Sequence, residues 1–192
     1  GTTSFYPSKN LGCYGDGGAI FTNNDKLAEK IKMIVNHGEN KKYHHKIIGC
    51  NSRLDSLQAV ILNIKLNYLD DYISNRRIMA DNYNKAFHNV SYLQTPVEID
   101  NSTHVYHQYT LKILNGKRDE LKEHLENNEI PTMIYYPIPL YKQEAFSGYV
   151  DSNYYLKNTE DLSQNVLSLP IHTEIENSQQ DYIINKILTF FK

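Results

Sequence analysis

The chain has 192 residues, of which 40% are apolar and 11% aromatic, and this is enough to form a hydrophobic core. The formal net charge of -2 at pH 7 excludes the broad basic field that holds nucleic acid through counterion release. No apolar run approaches the ~20 residues that cross a bilayer, and no export signal is visible at the start, so we expect a cytoplasmic protein without a membrane partner.

The first part of the chain predicts a hairpin and a helix. Residues 1–5 and 18–22 are rich in β-branched and apolar side chains, and glycines between them allow a sharp turn. Asn24 or Asp25 is expected to cap the helix that follows, because a short polar side chain accepts the unpaired N–H groups of the first turn. The helix should end at His37.

Two further helices are predicted in the middle of the chain. Residues 41–49 are polar and expected to be irregular, after which apolar residues at helical spacing mark a helix over residues 54–66. We expect its apolar face to pack into a core. A second helical pattern over residues 72–87 is expected to bridge two domains.

The remainder alternates between strands and helices. The pattern predicts a strand over residues 105–113, a helix over residues 118–127, a strand over residues 130–136 and a final helix over residues 178–191. The apolar residues of the final helix are most simply core packing, with a partner surface as the alternative. We find no internal repeat, and the alternation indicates an α/β protein.

Lys9 stands just after the first strand and before a glycine-rich turn, where loops commonly carry reactive groups. The alternative is an ordinary solvated amine on the surface. The glycines of residues 11–18 do not form a nucleotide loop, because they lack G-x-G-x-x-G at a strand-to-helix turn and no G-K-[ST] follows. Glycines that permit positive φ angles explain the segment equally well.

Three ordered blocks of the sequence nevertheless fit one family. Residues 4–19 read S-F-x-P-x-K-N-L-G-x-x-G-D-G-G-A, and residues 49–59 read G-C-N-S-R-L-D-x-x-Q-A. Residues 136–140 read Y-P-I-P-L and are followed by L-S-L-P at 167–170. In order and spacing these blocks resemble the DegT/DnrJ/EryC/StrS family of pyridoxal-phosphate-dependent sugar aminotransferases over essentially the whole chain.

The resemblance implies the fold and the domain organisation. Residues 1–72 would be the C-terminal part of the large cofactor domain of an aspartate-aminotransferase-like protein (fold type I), and residues 73–192 the small α/β domain. The usual family chain is roughly double this length, and its first half holds the acidic residue that pairs with the pyridine nitrogen. We therefore expect either a fragment of a longer enzyme or a chain that needs the missing half from another polypeptide.

The resemblance also assigns three residues to the cofactor. Lys9 matches the lysine that carries pyridoxal phosphate as a Schiff base and then shuttles a proton, which requires a neutral, desolvated amine. The cofactor is the electron sink. Ser4 matches a residue that hydrogen-bonds the cofactor phosphate. Asn51 matches one that reaches the phosphate in the neighbouring subunit, so a homodimer with shared active sites is expected.

Three further residues are expected at the substrate. Arg53 matches a residue near the phosphate or an anionic substrate, for which a planar guanidinium is well shaped; a pairing with Asp55 or with a helix end is the alternative. Tyr135 and Tyr136 are expected to contact the sugar. Many relatives have histidine at the positions of Tyr135 and Tyr141, which leaves the sugar open.

No metal site is expected. Cys13 and Cys50 are far apart and lack C-x-x-C or metal-ligand spacing, which also disfavours a disulfide framework. His44 and His45 are adjacent, but no acidic or cysteine partner completes a site around them.

The implied activity is transfer of an amino group, from L-glutamate, to a keto group on a nucleotide-diphospho-sugar in amino-sugar or surface-polysaccharide biosynthesis. The motifs look most like those of enzymes that act on 3-keto sugars. The alternative from a different class is a truncated, inactive fragment that only assembles with a partner chain. A sugar dehydratase of the same fold is disfavoured by Lys9, because dehydratases carry histidine there.

Overall fold

The computed structural model describes residues 1–151 and 153–192 and is a mixed α/β structure. The chain divides into two compact units, here called the N-terminal unit (Gly1–Asp71) and the C-terminal unit (Tyr72–Lys192). The helices are α1 (Asp25–Val35), α2 (Ser56–Leu66), α3 (Leu69–Phe87), α4 (Arg118–Glu126), α5 (Lys157–Asn165) and α6 (Asn177–Phe190). The strands are β1 (Thr2–Ser4), β2 (Gly18–Ile20), β3 (Glu39–Lys41), β4 (His44–His45), β5 (Leu93–Gln94), β6 (Tyr109–Ile113) and β7 (Val166–Leu169).

The N-terminal unit begins with the predicted hairpin. Strands β1 and β2 pair antiparallel, with Thr2 opposite Ile20 and Ser4 opposite Gly18. The predicted helix is also confirmed: Asn24 caps α1, and its side-chain oxygen accepts a hydrogen bond from the backbone N–H of Leu27 at 3.1 Å. Local capping chemistry is therefore sufficient to place the start of this helix.

The expectation of an irregular segment over residues 41–49 is wrong in part. Strands β3 and β4 form a small antiparallel ladder, and Tyr43 between them has a φ of 66°. Gly38 precedes the ladder with a φ of 79°, and a Cβ at this position would lie 1.7 Å from the carbonyl oxygen of Ile47. Only glycine fits this close approach of two backbone segments.

Helix α2 forms nearly where predicted, but the expectation that its apolar face enters a core is wrong for this chain. Leu62 is its one buried residue. Leu57, Val60 and Ile64 are 69%, 54% and 57% exposed, because no described part of the chain covers them. We call these three residues the α2 stripe.

The C-terminal unit is built on a three-stranded antiparallel sheet in the order β5-β6-β7. Leu111 faces Leu167 across the central pair, and Leu93 faces Ile113 on the other side. Helices α3, α4 and α6 and the loop residues Tyr106 and Ile130 contribute the other side chains of the core. The core comprises Met79, Ala80, Tyr83, Phe87, Leu93, Tyr106, Tyr109, Leu111, Ile113, Leu121, Leu125, Ile130, Leu167, Leu169, Ile183 and Ile187. The predicted core role of the final helix is confirmed by Ile183 and Ile187.

Two predicted strands are wrong in extent or kind. The strand expected over residues 105–113 starts only at Tyr109, because Tyr106 has a φ of 41°, outside the extended region. The strand expected over residues 130–136 is a single bridge between Met133 and Ser168. Pro131 has no N–H to donate, which limits pairing there.

Arg76 of α3 ties together separate parts of the C-terminal unit. It is 8% exposed, and its guanidinium donates hydrogen bonds to the carbonyl oxygens of Tyr106, His107 and Ile171 at 2.9–3.3 Å. The segment before β6 and the segment after β7 are thereby fixed to the same point on α3. None of the described helices has the length and apolar character needed to traverse a membrane.

Candidate functional site

Lys9 lies in a turn that closes directly after β1. The backbone N–H of Lys9 donates to the carbonyl oxygen of Tyr6 at 2.8 Å, and that of Cys13 donates to the carbonyl oxygen of Phe5 at 2.7 Å. These two hydrogen bonds define the position of the Lys9 backbone, and Lys9 as a residue is partly buried. A reactive amine is held more precisely on such a closed turn than on an open loop.

Ser4 is the last residue of β1 and belongs to the same turn. Its hydroxyl oxygen accepts a hydrogen bond from the backbone N–H of Tyr6 at 3.2 Å, which leaves the hydroxyl hydrogen to donate elsewhere. Tyr6 thus contacts both Ser4 and Lys9. The turn therefore contains two of the predicted site residues, one with an amine and one with a hydroxyl.

The glycine-rich turn passes close to the backbone of Tyr6 and Pro7. A Cβ on Gly12 would lie 2.6 Å from the carbonyl oxygen of Pro7, so only glycine permits the close return of the chain. The carbonyl oxygen of Gly12 also accepts a hydrogen bond from Lys65 Nζ of α2 at 2.7 Å. The turn is therefore attached to α2.

A second attachment runs through Gln58 of α2. Its Oε1 accepts a hydrogen bond from the backbone N–H of Tyr14 at 2.9 Å. A Cβ on Gly15 would lie 3.1 Å from Gln58 Nε2, so the helix and the turn are in close contact. Sequence reasoning assigned no role to Gln58 or Lys65, although the motif that contains Gln58 was one of the signals for the site.

Asn51 and Arg53 are held at the end of α1. Asn51 forms an isolated antiparallel bridge with Asn36, the C-cap residue of that helix, and its side chain is exposed. Arg53 Nη1 donates to Asn36 Oδ1 at 2.7 Å. The observed partner of Arg53 is thus at a helix end rather than at Asp55, and one of its five N–H donors is occupied.

The histidine loop beside this segment is organised by hydrogen bonds. His45 Nδ1 lies 2.9 Å from the carbonyl oxygen of His37, and its Nε2 lies 3.8 Å from Glu39 Oε1. Within residues 1–151 and 153–192, no group of three or more histidine, cysteine or acidic side chains is arranged for a metal ion. Cys13 is buried, Cys50 is exposed, and both are free thiols.

Tyr135 and Tyr136 belong to the C-terminal unit, whereas Ser4, Lys9, Asn51 and Arg53 belong to the N-terminal unit. The two tyrosine rings pack edge to face with their centroids 5.5 Å apart, and they are 37% and 71% exposed. The two rings are therefore accessible to solvent and have both an apolar face and a polar hydroxyl.

Comparisons with known proteins find relatives that match nearly the whole chain. A model of the DegT/DnrJ/EryC1/StrS aminotransferase family matches residues 1–188. The chain is 44% identical to a pleiotropic regulatory protein of Geobacillus stearothermophilus over 100% of this chain and 51% of that protein. It is 43% identical to the UDP-2-acetamido-2-deoxy-3-oxo-D-glucuronate aminotransferase of Pseudomonas aeruginosa, over 92% of this chain and 47% of that enzyme.

A solved structure shows the same fold. The crystal structure of DesV from S. venezuelae, in complex with a ketimine intermediate, superposes with a TM-score of 0.93 and 36% sequence identity, covering 100% of this chain and 51% of that one. The chain thus spans about half the length of the relatives it matches.

Proposed function

Because the chain belongs to the DegT/DnrJ/EryC1/StrS aminotransferase family, whose members use pyridoxal phosphate, we propose that it supplies the C-terminal half of an enzyme that transfers an amino group to a keto group on a nucleotide-linked sugar. The observation that carries this proposal is the closed, glycine-rich turn in which the backbone N–H of Lys9 and the hydroxyl of Ser4 both bind the backbone of Tyr6. The similarity to an aminotransferase named for a UDP-linked 3-oxo sugar supports it.

The residues of the turn fit two ends of the cofactor. The Ser4 hydroxyl keeps a hydrogen to donate to a phosphate, and the partly buried Lys9 amine suits the aldehyde. Pyridoxal phosphate, when bound, supplies the electron sink for the bonding electrons of the C–H bond that breaks. The fold supplies the placement of the groups around it.

Each residue then has a physical task. The Lys9 amine, when neutral, would accept the proton that leaves one carbon and deliver it to the carbon on the other side of the transferred nitrogen. Ser4 orients the phosphate through a hydrogen bond. Arg53 keeps the N–H donors that Asn36 does not occupy, and these suit a phosphate or a carboxylate of the substrate. Tyr135 and Tyr136 pack against the sugar and hydrogen-bond its hydroxyls.

The proposal extends to the partners. We assign Asn51 to the phosphate held by the neighbouring subunit of a homodimer, and its exposed side chain at the end of α1 is compatible with that reach. We further assign L-glutamate as amino donor, position 3 of the sugar as the aminated carbon, a role in amino-sugar or surface-polysaccharide biosynthesis, and the cytoplasm as the location.

A second candidate function is that of an inactive chain that only assembles with a partner. The exposed α2 stripe favours it, because an uncovered apolar face is a common feature of a surface that docks against other protein. The two candidates differ in one measurable property, namely whether this chain alone binds the cofactor at Lys9.

The test is trapping of the cofactor on the lysine. The chain is incubated with pyridoxal phosphate, reduced with borohydride and digested, and the labelled peptide is identified by mass spectrometry. We expect the label on Lys9, its loss in Lys9→Ala, and no change in the control Lys26→Ala, an exposed lysine of α1. A label on another lysine would refute the assignment.

The same experiment separates the two candidates when it is repeated with the polypeptide that corresponds to the other half of the relatives. Labelling of the chain alone contradicts the inactive-fragment alternative. Labelling only in the mixture supports that alternative for the isolated chain. No label and no transamination in either sample would refute the aminotransferase proposal.

A further inference from the structure

Glu160 of α5 is a buried carboxylate that no predicted motif includes. The residue is 7% exposed. Its Oε1 accepts a hydrogen bond from the hydroxyl of Tyr141 and lies 2.6 Å from Lys142 Nζ. Tyr141 and Lys142 form part of a 3-10 turn, Leu140–Lys142, directly after the Y-P-I-P motif. One acidic side chain thus binds two consecutive residues of a loop.

The loop has little else to hold it. Its described residues between 137 and 156 form two 3-10 turns, Leu140–Lys142 and Glu144–Phe146, and no strand or α-helix. Its apolar side chains Ile138 and Leu140 are 48% and 68% exposed. Pro139 is the one buried residue among the described residues between 137 and 156. Few buried apolar contacts therefore fix the loop, and its polar contacts contribute much of what holds it.

Tyr141 is the centre of those polar contacts. Besides donating to Glu160, its hydroxyl accepts a hydrogen bond from the backbone N–H of Leu156 at 3.3 Å, and its ring packs edge to face on Tyr154 at 5.3 Å. The beginning and the end of the loop therefore meet at Tyr141, above the carboxylate of Glu160.

The charge state of Glu160 suits this role. The hydrogen bond from Lys142, and then that from Tyr141, hold the pKa of Glu160 below its ordinary value, although burial acts in the opposite direction. The carboxylate is therefore ionised at neutral pH. A buried carboxylate that loses one of its partners retains an uncompensated charge, so the arrangement is costly to open.

The segment that carries the two tyrosines is attached at both ends. At its start, Met133 pairs with Ser168 of β7 through two backbone hydrogen bonds of 3.2 and 2.8 Å. At its end, Tyr141 and Lys142 bind Glu160. Tyr135 and Tyr136 lie between these two attachments, so release of the second end would let their rings change position.

We propose that Glu160 is a positioning residue for sugar binding, because it holds Tyr141 and Lys142 and so fixes the end of the segment that carries Tyr135 and Tyr136. This inference rests on the proposed function, in which those two tyrosines contact the sugar. Glu160 itself does not touch the substrate.

The experiment measures nucleotide-sugar binding and cofactor binding on the same samples. The protein is used in the form that Lys9 trapping shows to bind the cofactor, either this chain alone or this chain with the complementary polypeptide. The probes are dTDP-glucose and UDP-N-acetylglucosamine, which lack a keto group and do not react. Binding is followed by calorimetry, and cofactor binding by borohydride labelling of Lys9.

We expect Glu160→Gln and Tyr141→Phe to weaken sugar binding by roughly five- to tenfold, because misplacement of a binding group by an ångström has effects of this order or larger. Labelling of Lys9 should be unchanged in both. Tyr141→His should restore much of the affinity, since an imidazole N–H also donates to a carboxylate. Amide hydrogen exchange of Leu140–Lys142 should accelerate in the first two variants.

Asp161→Asn is the matched control. Asp161 is the next residue of α5, but its carboxylate binds Lys112 of β6 and Asn165 of its own helix. Its substitution removes a charge from the same helix without touching Tyr141 or Lys142. Sugar binding should remain at the wild-type level.

Three results would overturn the inference. Faster exchange of Leu140–Lys142 in Glu160→Gln with wild-type sugar affinity would show that the loop does not position the sugar, while an unchanged Lys9 label would leave the proposed function standing. Wild-type sugar affinity in Tyr141→Phe would also show that the loop does not position the sugar. This variant removes a single oxygen and is informative even if Glu160→Gln does not fold. Absence of sugar binding in the wild type would refute the proposed substrate and this inference with it.

Discussion

In the N-terminal unit, the buried apolar side chains among the described residues are those of Cys13 and Leu62, whereas the whole clustered core lies in the C-terminal unit. Yet the lysine and serine of the family motif belong to the first unit. The N-terminal unit is held by hydrogen-bonded turns and close glycine contacts, while the C-terminal unit is held by apolar burial. The buried core and the residues proposed to hold the cofactor thus lie in different units of the chain.

The difference in apolar burial predicts a difference in how readily each unit unfolds. Burial contributes roughly 25 cal/mol per Å² of apolar surface, and the α2 stripe, exposed in the chain, gains little of it. The N-terminal unit should therefore open more readily than the C-terminal unit. In an assembled protein we expect the stripe to be covered.

The largest effect should come from the core of the C-terminal unit. Phe87 is 1% exposed and its ring stacks on Tyr83 at 5.8 Å, so Phe87→Ala should lower the free energy of unfolding by about 3–5 kcal/mol. Ile78→Ala on the same helix, where the residue is 57% exposed, is the control and should change it little. Urea denaturation measures both, and equal effects would contradict the role of Phe87 in the core.

Alkaline pH should act on the same core. Burial raises the pKa of Tyr83 and of Tyr109 well above the ordinary tyrosine value, which is about 10. Since the folded-state pKa values are raised, their contribution to stability is complete below about pH 10 and is lost as the pH rises towards those values. Circular dichroism against pH should show unfolding of the C-terminal unit in that range.

Tyr83→Phe separates this effect from general alkaline damage. It removes one ionisable group together with a hydrogen bond to the carbonyl oxygen of Pro170, so stability at neutral pH should fall by about 1 kcal/mol. The loss of stability above about pH 10 should become shallower. An alkaline profile parallel to that of the wild type would contradict the role of Tyr83.

A local effect is expected from Gly38 of the N-terminal unit. In Gly38→Ala the new Cβ would meet the carbonyl oxygen of Ile47 at 1.7 Å, so the two backbone segments must move apart. The positive φ adds a strain of about 1–3 kcal/mol to the cost of this movement. NMR signals of His44 and His45 should shift, while those of the C-terminal unit stay in place. Gly148→Ala is the control, because nothing lies within 4 Å of its added Cβ.

The smallest effect should come from the α2 stripe. Val60→Ser changes an exposed residue and should alter the free energy of unfolding of the chain by less than about 0.5 kcal/mol. Leu62→Ala, at the buried position of the same helix, should cost about 2–3 kcal/mol. If Val60→Ser and Leu62→Ala lowered the free energy of unfolding by similar amounts, the α2 stripe would be covered in solution. Sedimentation would then show that the chain associates with another copy.

Local signals account for what the sequence predicted correctly. Asn24 caps α1 through a contact three residues away, and the family was identified from contiguous motifs. The exposure of the α2 stripe was not predictable, because helical periodicity indicates an apolar face but does not identify what covers it.

Contacts between residues far apart in the chain could not be predicted from the sequence either. Glu160 binds Tyr141 from 19 positions away, and no local pattern relates the two. The strand expected over residues 130–136 failed for a similar reason, since only Met133 finds a partner, in β7. The residue pattern indicated a strand over residues 130–136. It did not show that, apart from Met133, these residues have no strand to pair with.

Arg76 has a consequence for how the sequence of the C-terminal unit can vary. Its guanidinium binds main-chain oxygens of residues 106, 107 and 171, not their side chains. Exchange of the side chains at His107 or Ile171 therefore preserves the clamp, whereas insertion or deletion of a residue in either segment displaces the oxygens that it binds. Loop grafting between relatives should accordingly tolerate altered residue types at these positions but not altered loop lengths.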